Sequence, residues 1–256
     1  MAKNKVFIWA LCIGALIFSG CRQDDDDEEA LTRAMVNFDQ AFVPVLYYSM
    51  QGDANRAKHA ALYLAFEWQK VDMRYHYRFE DDKAWQEGFD RIDAWLGDAL
   101  YEIDNNCAVV GANLLEHVRY EWTELRKSRE IAYYPDYLYN AQAASSWLRQ
   151  VLQDKRACQT EWEAISQQIA LLSTSCWQAI NESPDPDLYK LDEAELAYLQ
   201  QQKDRMSQYL VLLNESVSCA QTEKMAAACQ GLSPAIWEAI GVFGNFEATK
   251  TYFAER

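Results

Sequence analysis

The chain has 256 residues, 50% of them hydrophobic, and a formal net charge of −15 at pH 7. This length and composition suffice to bury a large core, whereas the acidity excludes a nucleic-acid partner, whose phosphates require a stripe of lysine and arginine. Only nine glycines and five prolines occur, and the scarcity of these helix breakers favours an all-α fold without a sheet.

The N-terminus has the features of an export signal. Two lysines accompany a mostly apolar run over 6–18, which is too short to span a bilayer as a permanent helix. The run ends in Ser19-Gly20-Cys21, and small residues at this point are typical of a signal cleavage site. This ending resembles the lipobox of bacterial lipoproteins, whose cysteine is acylated before cleavage. The resemblance implies that 1–20 is removed and that Cys21 anchors the protein in a membrane; a plain signal peptide with an incidental cysteine is the alternative.

An acidic segment follows the predicted anchor. Residues 24–29 are all aspartate or glutamate, and this run resembles the signal with which Bacteroidetes-type bacteria move lipoproteins to the outer face of the outer membrane. The resemblance implies a lipid-anchored protein of the outer membrane that faces the cell exterior; an anchor that faces the periplasm is the alternative. In both cases 21–29 is expected to form a solvated, self-repelling tether.

Apolar residues recur every three or four positions along the remaining chain, which predicts amphipathic helices. Before the break at Pro135, helices are predicted at about 30–50, 54–79, 83–105 and 111–131. Beyond it, one stripe begins with Trp162 and another with Leu196, on either side of a proline-rich loop at 183–187. The clearest stripe consists of Trp85, Phe89, Ile92, Leu96, Ala99 and Ile103.

Two boundaries in the second half depend on weaker signals. The stretch 141–180 has no glycine or proline, and we place a break at the charged residues 154–156, with one continuous helix as the alternative. Gly231 and Pro234 predict the last break, where Ser233 would cap a final helix that starts with Pro234.

A faint internal repeat predicts the domain organisation. A glutamate precedes both Trp68 and Trp162, and a branched apolar residue follows each tryptophan three positions later. We therefore expect two tandem up-down four-helix units, 30–132 and 136–256, packed into one body. One continuous array of helices is the alternative.

Five of the seven cysteines lie beyond the predicted anchor, and an exported protein can form disulfides. Cys158 and Cys219 would lie at the same end of an up-down bundle, so we expect a bond between them; Cys219 with Cys229 is the alternative. Cys176 lies on an apolar stripe and is predicted to be a buried thiol. Because the number is odd, at least one thiol must be free.

The histidines offer one candidate metal site. His59 and His117 follow their helix turns at similar distances, so the predicted bundle places them at similar depth, and Glu121 shares a helical face with His117. Two imidazoles and a carboxylate suit Zn or Cu. We nevertheless expect ordinary hydrogen bonds for both histidines and no cofactor; a transition metal or haem held by His59 and His117 is the alternative.

Tyrosines concentrate at two helix ends that the predicted topology brings together. Beside arginine, such clusters are typical of recognition surfaces, and their rings can also stack on sugars. We expect that this end is where the two units pack against each other, with a recognition surface as the alternative. The candidate surface consists of Tyr75, Tyr77, Tyr133, Tyr134 and Tyr137.

One segment carries a family resemblance. Its motifs are Leu115-Glu116-His117-Val118-Arg119, Glu124-Leu125-Arg126 and Tyr134-Pro135-Asp136-Tyr137-Leu138. In these residues, 115–138 resembles a family of uncharacterised exported bacterial helical-bundle proteins. The family continues with a Phe-His element where this chain has Tyr139-Asn140, so a metal role of that histidine does not carry over, and the resemblance implies no activity.

The sequence contains no Gly-rich phosphate loop and no Cys-x-x-Cys motif, and it indicates no Ser-His-Asp arrangement. We therefore expect a non-catalytic binding or structural module rather than an enzyme, held at a membrane and facing a protein or glycan partner. The alternatives are a metal- or haem-handling four-helix protein and a glycan-binding accessory of an outer-membrane uptake system.

Overall fold

The computed structural model describes residues 28–153, 162–218 and 221–247. The predicted signal peptide, the predicted anchor Cys21 and residues 22–27 of the predicted tether lie outside these residues, whereas Glu28 and Glu29, also predicted to lie in the tether, form the start of the first helix. The described part of the chain forms nine helices and no strand, which confirms the predicted all-α fold. The helices are α1 (28–50), α2 (Ala54–Tyr75), α3 (Lys83–Asp104), α4 (Ala108–Ser128), α5 (Tyr134–Gln153), α6 (Trp162–Asn181), α7 (Pro186–Tyr189), α8 (Glu193–Ser218) and α9 (Thr222–Gly241).

Aspartate caps and a left-handed turn define the first boundaries. The side chains of Asp53 and Asp82 each accept a hydrogen bond from the amide three residues later, at 3.0 and 3.1 Å. These bonds satisfy amides that have no partner within the helix. Gly52 has φ +71°, a conformation that glycine adopts without steric cost. α2 ends at Tyr75 rather than at the predicted residue 79.

The long stretch without glycine or proline forms two helices. α5 and α6 pack against each other, and two parts of one straight helix cannot do so. The alternative of one continuous helix over 141–180 is therefore wrong. The predicted break at 154–156 itself lies outside the described residues.

The last predicted break is also wrong, because Gly231, Ser233 and Pro234 all lie inside α9. Gly231 permits the close approach of α8, since a Cβ at this position would lie 2.1 Å from the ring of Tyr209. Ser233 is buried along the helix rather than placed at its start. Pro234 removes one intrahelical hydrogen bond, and the burial of neighbouring core residues such as Ile236 offsets this cost.

The helices form two groups that share one hydrophobic core. α3 packs against α2 and α4, whereas α5 and α8 each pack against α6 and α9. α1 contacts both groups: the ring centroids of Phe38 and Trp122 lie 5.6 Å apart, and Gln40 donates a hydrogen bond to the carbonyl of Tyr189 at 3.4 Å. The predicted tandem arrangement is thus confirmed in part, with α1 as the helix that joins the two groups.

Aromatic rings fill the centre of the first group. The ring centroids of Trp68, Phe89 and Trp122 lie 5.4, 5.5 and 6.1 Å apart, within the range of favourable aromatic pairs. The predicted apolar stripe of α3 is buried throughout. Trp162, predicted to begin the buried stripe of α6, is instead 44% exposed, because it is the first residue of that helix and the burial begins at Ile165.

Candidate functional site

The five tyrosines of the candidate recognition surface do not form one exposed surface, which corrects that alternative. Tyr77 is 70% exposed and Tyr137 is partly buried, but Tyr75, Tyr133 and Tyr134 are buried. The hydroxyl of Tyr134 donates a hydrogen bond to a backbone carbonyl of α6 at 2.7 Å. The expected packing of the two units fits Tyr133 and Tyr134 better, since they lie where the two groups of helices meet.

The candidate metal ligands lie on exposed or ion-paired positions. His59 and His117 are exposed, and the ring centroid of His117 lies 5.3 Å from that of Trp95. The carboxylate of Glu121 accepts two hydrogen bonds from Arg91, at 3.1 and 2.6 Å. In the described part of the chain, no three His, Cys, Asp or Glu side chains lie together so that they could hold a metal ion. The fold therefore does not assemble His59, His117 and Glu121 into one set of ligands.

The described cysteines are free thiols. Cys107 is exposed at the start of α4, whereas Cys176 and Cys229 are buried. The burial of Cys176 is as predicted. Burial raises the pKa of the Cys176 thiol above its usual range and raises that of Cys229 to about 11. Cys158 and Cys219 lie outside the described residues, so the disulfide between them stays a prediction.

A cleft of about 880 Å³ opens where α1, α2, α8 and α9 meet, beside the connection from α7 to α8. Its volume lies in the range of small-molecule sites. The buried residues Tyr189 and Phe243 contribute to its lining and form its floor. Its walls carry the partly or mostly accessible aromatic side chains of Tyr47, Tyr63, Tyr198, Trp237 and Phe246.

The described lining of this cleft is negatively charged. The ammonium group of Lys190 donates a hydrogen bond to Asn37 Oδ1 at 2.8 Å, and it is the one cationic side chain of that lining. The carboxylates of the cleft belong to Asp192, Glu195, Glu238 and Glu247. Aromatic faces therefore stand beside a surplus of carboxylates.

Two of these carboxylates are fixed by a reciprocal cap at the start of α8. Asp192 Oδ1 accepts a hydrogen bond from the amide of Glu195 at 2.8 Å, and Glu195 Oε2 accepts one from the amide of Asp192 at 2.9 Å. Such a pair satisfies two amides that the helix leaves without partners. Each carboxylate retains a second oxygen that the cap does not use.

The third carboxylate joins α8 to α9 across the cleft. The hydroxyl of Tyr198, on α8, donates a short hydrogen bond to Glu238 Oε2, on α9. This bond to a carboxylate, together with partial burial, raises the pKa of Tyr198. The bond holds an aromatic ring and a carboxylate of the cleft next to each other.

A proline in α1 creates the attachment point of the segment after α9. Pro44 has no amide hydrogen to donate to the carbonyl of Gln40. That carbonyl instead accepts a hydrogen bond from the amide of Asn245 at 2.8 Å. Gly244 permits the contact, because a Cβ at this position would lie 2.8 Å from Cγ1 of Val43. One edge of the cleft is thereby fixed to α1.

A buried charged group adjoins the floor of the cleft. Arg126 Nε donates a hydrogen bond to Asp136 Oδ2 at 2.9 Å, and Thr123 donates to Asp136 Oδ1 at 3.0 Å. Asp39 is also buried, and loss of water raises its pKa to about 6, against the attraction of Arg126. The charges of Asp39, Asp136 and Arg126 act on the hydroxyl of Tyr189, whose pKa burial raises. Tyr133 lies between the floor and this charged group, since its ring centroid is 5.6 Å from that of Tyr189 and 4.2 Å from the guanidinium carbon of Arg126.

The cleft is not evident from the sequence alone. Its residues come from four separate segments, and their helical periodicity alone does not show that they meet. Two local signals were present: Pro44 within an otherwise helical pattern, and the Asp-x-x-Glu spacing of Asp192 and Glu195. Pro44 indicates that the carbonyl of Gln40 has no hydrogen-bond donor within the helix. The Asp-x-x-Glu spacing indicates the start of a helix.

Among the described residues, no helix is both long enough and apolar enough to cross a membrane. Comparison of the chain with protein-family models, curated proteins and solved structures found no match.

Proposed function

We propose that this protein is a non-catalytic ligand-binding lipoprotein, in which acylated Cys21 holds the helical body at the outer face of the outer membrane. The cleft is the observation that carries the proposal. Aromatic and carboxylate side chains converge there from four segments of the chain, around a volume suited to a small molecule. The lipobox-like Ser19-Gly20-Cys21 and the acidic run 24–29 support the location.

The location is tested by metabolic labelling with an alkynyl fatty acid, followed by proteolysis of intact cells. We expect label on the wild-type protein, none on the Cys21→Ser variant, and digestion of the wild-type protein without cell lysis. An unlabelled wild-type protein would contradict the anchor. A labelled protein that proteases reach only after lysis would contradict the outward orientation.

The binding role is tested by thermal-shift screening against polyamines, lysine peptides and neutral oligosaccharides. Trp237 lines the cleft, whereas Trp162 is exposed outside it, so Trp237→Ala and Trp162→Ala form a matched pair. We expect at least one compound to raise the Tm of the wild-type protein and of Trp162→Ala, but not that of Trp237→Ala. A panel without any such compound would contradict binding in the cleft.

A neutral glycan is a second candidate ligand, and the tryptophan in the cleft wall is the observation that favours it. Trp237 and Tyr198 offer aromatic faces on which sugar rings can stack, and polar side chains such as that of Gln40 lie in the same lining. The oligosaccharide arm of the screen tests this role. A thermal shift that needs Trp237 would support it, and the absence of any shift with oligosaccharides would contradict it.

A further inference from the structure

We infer that the exposed face of α2 lies against the phospholipid surface that holds the lipid anchor, an inference that rests on the proposed acylation of Cys21. The first observation is a strip of large apolar side chains that the core does not cover. Leu62, Phe66 and Met73 are 51, 49 and 73% exposed. At about 100° per residue, they lie within about 40° of one another around the helix axis, opposite the buried side of α2. Contiguous exposed apolar patches mark contacts with membranes or other molecules.

The strip continues past the end of α2. Tyr77 is 70% exposed, and its ring stacks on that of His76 with a centroid distance of 4.4 Å. Leu62 and Met73 are about 16 Å apart along the helix, so the strip offers several side chains to one flat surface. Leucine, phenylalanine and tyrosine are among the residues with which helices that lie in the plane of a bilayer enter its interfacial layer.

Charge is the second observation, because α2 alone among the helices of the described chain has a positive net charge. It carries four basic and two acidic side chains, whereas α3 carries two basic and six acidic ones. Both acidic groups of α2 are held within the protein. Glu67 is buried and accepts a hydrogen bond from Lys70 at 2.7 Å, and Asp72 lies 2.9 Å from Nδ1 of His76. The strip itself contains no acidic residue.

Two basic side chains border the strip at the height of phosphate headgroups. Lys70 Nζ lies 4.4 Å from the ring centroid of Phe66, and the guanidinium carbon of Arg74 lies 5.2 Å from that of Tyr75. Long basic side chains extend along apolar surface and place their charge at the polar edge of a bilayer. Charges farther than about 10 Å from a surface are largely screened at 0.1 M salt. Among the described helices, α2 is therefore the one that phosphate headgroups repel least.

The position of the anchor is the third observation. The start of α1 lies beside the second half of α2, where Arg33 shares a groove of about 310 Å³ with Lys70 and Arg74. The seven peptide units between Cys21 and the start of α1 can span at most about 25 Å. The acyl group would thus hold this side of the molecule close to the bilayer, at a high effective concentration. Under this condition even a weak contact between α2 and the bilayer is well populated.

The inference is tested by photo-cross-linking of the acylated protein, produced from the full chain, in vesicles of phosphatidylethanolamine and phosphatidylglycerol. The photoreactive residue p-benzoylphenylalanine replaces Phe66 in one sample and Leu212 in another. Leu212, on α8 in the second group of helices, is 50% exposed and serves as the matched control. We expect mass spectrometry to find a phospholipid adduct at position 66 and none at position 212.

Two substitutions locate the contact. Met73→Glu places a negative charge on the strip, and Arg74→Gln removes a positive charge beside it. Each is expected to lower the yield of the lipid adduct at position 66 about fivefold. Val211→Glu, at a 47% exposed position of α8, is the control and leaves the yield unchanged. Because these residues are exposed, the variants are expected to fold, which circular dichroism checks.

Failure of the inference and failure of the proposed location are distinguishable. Equal yields at positions 66 and 212, no lipid adduct at 66, or a yield that neither variant lowers overturns the inference. An adduct at position 66 with a second protein molecule, or with residues 24–27 of the same chain, in place of lipid also overturns it, because another occupant then covers the strip. In all these cases a protein that carries the fatty-acid label keeps its anchor. An unlabelled wild-type protein overturns both proposals.

Discussion

At the scale of single residues, Asp39 shows how burial changes the pKa of a carboxyl group. It lies beside the ion pair of Arg126 and Asp136, and in the described structure its Oδ2 atom has no hydrogen-bond partner. Desolvation raises its pKa to about 6, more than Arg126 and the nearby hydroxyls of Tyr133 and Tyr139 lower it. The group thus has two carboxyls for one guanidinium, and only Asp136 is hydrogen-bonded to it.

The raised pKa has a consequence for stability as a function of pH. The folded protein binds the proton of Asp39 more tightly than the unfolded chain does, because the pKa of this carboxyl in the unfolded chain is near 3.8. This contribution to stability is therefore complete below about pH 4 and is lost as the pH rises through 6. Relative to Asp39→Asn, the wild-type protein should lose about 2–3 kcal/mol of unfolding free energy between pH 4 and 7. Urea unfolding at several pH values measures this, and parallel curves for the two proteins would contradict it.

The buried ion pair predicts a large effect of one substitution. Arg126→Ala removes the hydrogen-bonded counter-ion of buried Asp136, which should cost about 3–5 kcal/mol of unfolding free energy. Arg91→Ala breaks the more exposed pair with Glu121 and should cost at most about 1 kcal/mol. Chemical denaturation of both variants makes the comparison. Equal losses would show that Arg126 is not the cation on which the buried group depends.

At the scale of helices, periodicity predicted most of the fold. The apolar stripes of α3 and of most of α6 are buried as expected. Apolar residues that recur with the 3.6-residue period of the helix lie on one side of it, and that side faces the core. The breakers were less informative. Gly231 and Pro234 both lie inside α9 and do not break it. The missing Cβ of Gly231 leaves room for the ring of Tyr209 on α8. A glycine alone does not distinguish a turn from a close approach of two helices.

Two glycine-to-alanine substitutions test this distinction, because they should change the stability of the protein in opposite directions. A Cβ on Gly111 would lie 2.6 Å from Ile103 and 3.0 Å from the carbonyl of Ala99, whereas one on Gly97 meets nothing within 4 Å. Gly111→Ala should therefore destabilise the α3–α4 contact by about 1–3 kcal/mol. Gly97→Ala should stabilise α3 by up to about 1 kcal/mol. Thermal unfolding compares the two, and a stabilising Gly111→Ala would contradict the described packing.

The candidate site could be predicted less well than the helices. Sequence spacing places Tyr133 and Tyr134 at a helix end, but it does not show how far that end is covered; both side chains are buried, and the hydroxyl of Tyr134 bonds to a carbonyl of α6. The cleft depends on the angles between α1, α8 and α9, which a repeat within each helix does not encode. Its residues also look like ordinary solvated or core positions when each helix is considered alone.

For the whole molecule, charge and architecture together support an anchored binding module. Removal of 1–20, as proposed, would take away two lysines and make the net charge of the remaining chain −17. Six acidic residues lie at 24–29, of which Glu28 and Glu29 belong to the start of α1, and others line the cleft. A negatively charged body is repelled by anionic surfaces and attracts cations from solution.

The most direct test of the proposed binding role is hydrogen–deuterium exchange of the full-length protein with and without the compound of the thermal-shift panel that raises its Tm most. Bound ligand should slow exchange in the peptides that cover 189–198 and 237–246, which border the cleft. Exchange in α3 should be unchanged. Protection confined to those two peptides is the predicted result; protection elsewhere, or no protection at a saturating concentration of that compound, would contradict the cleft as the binding site.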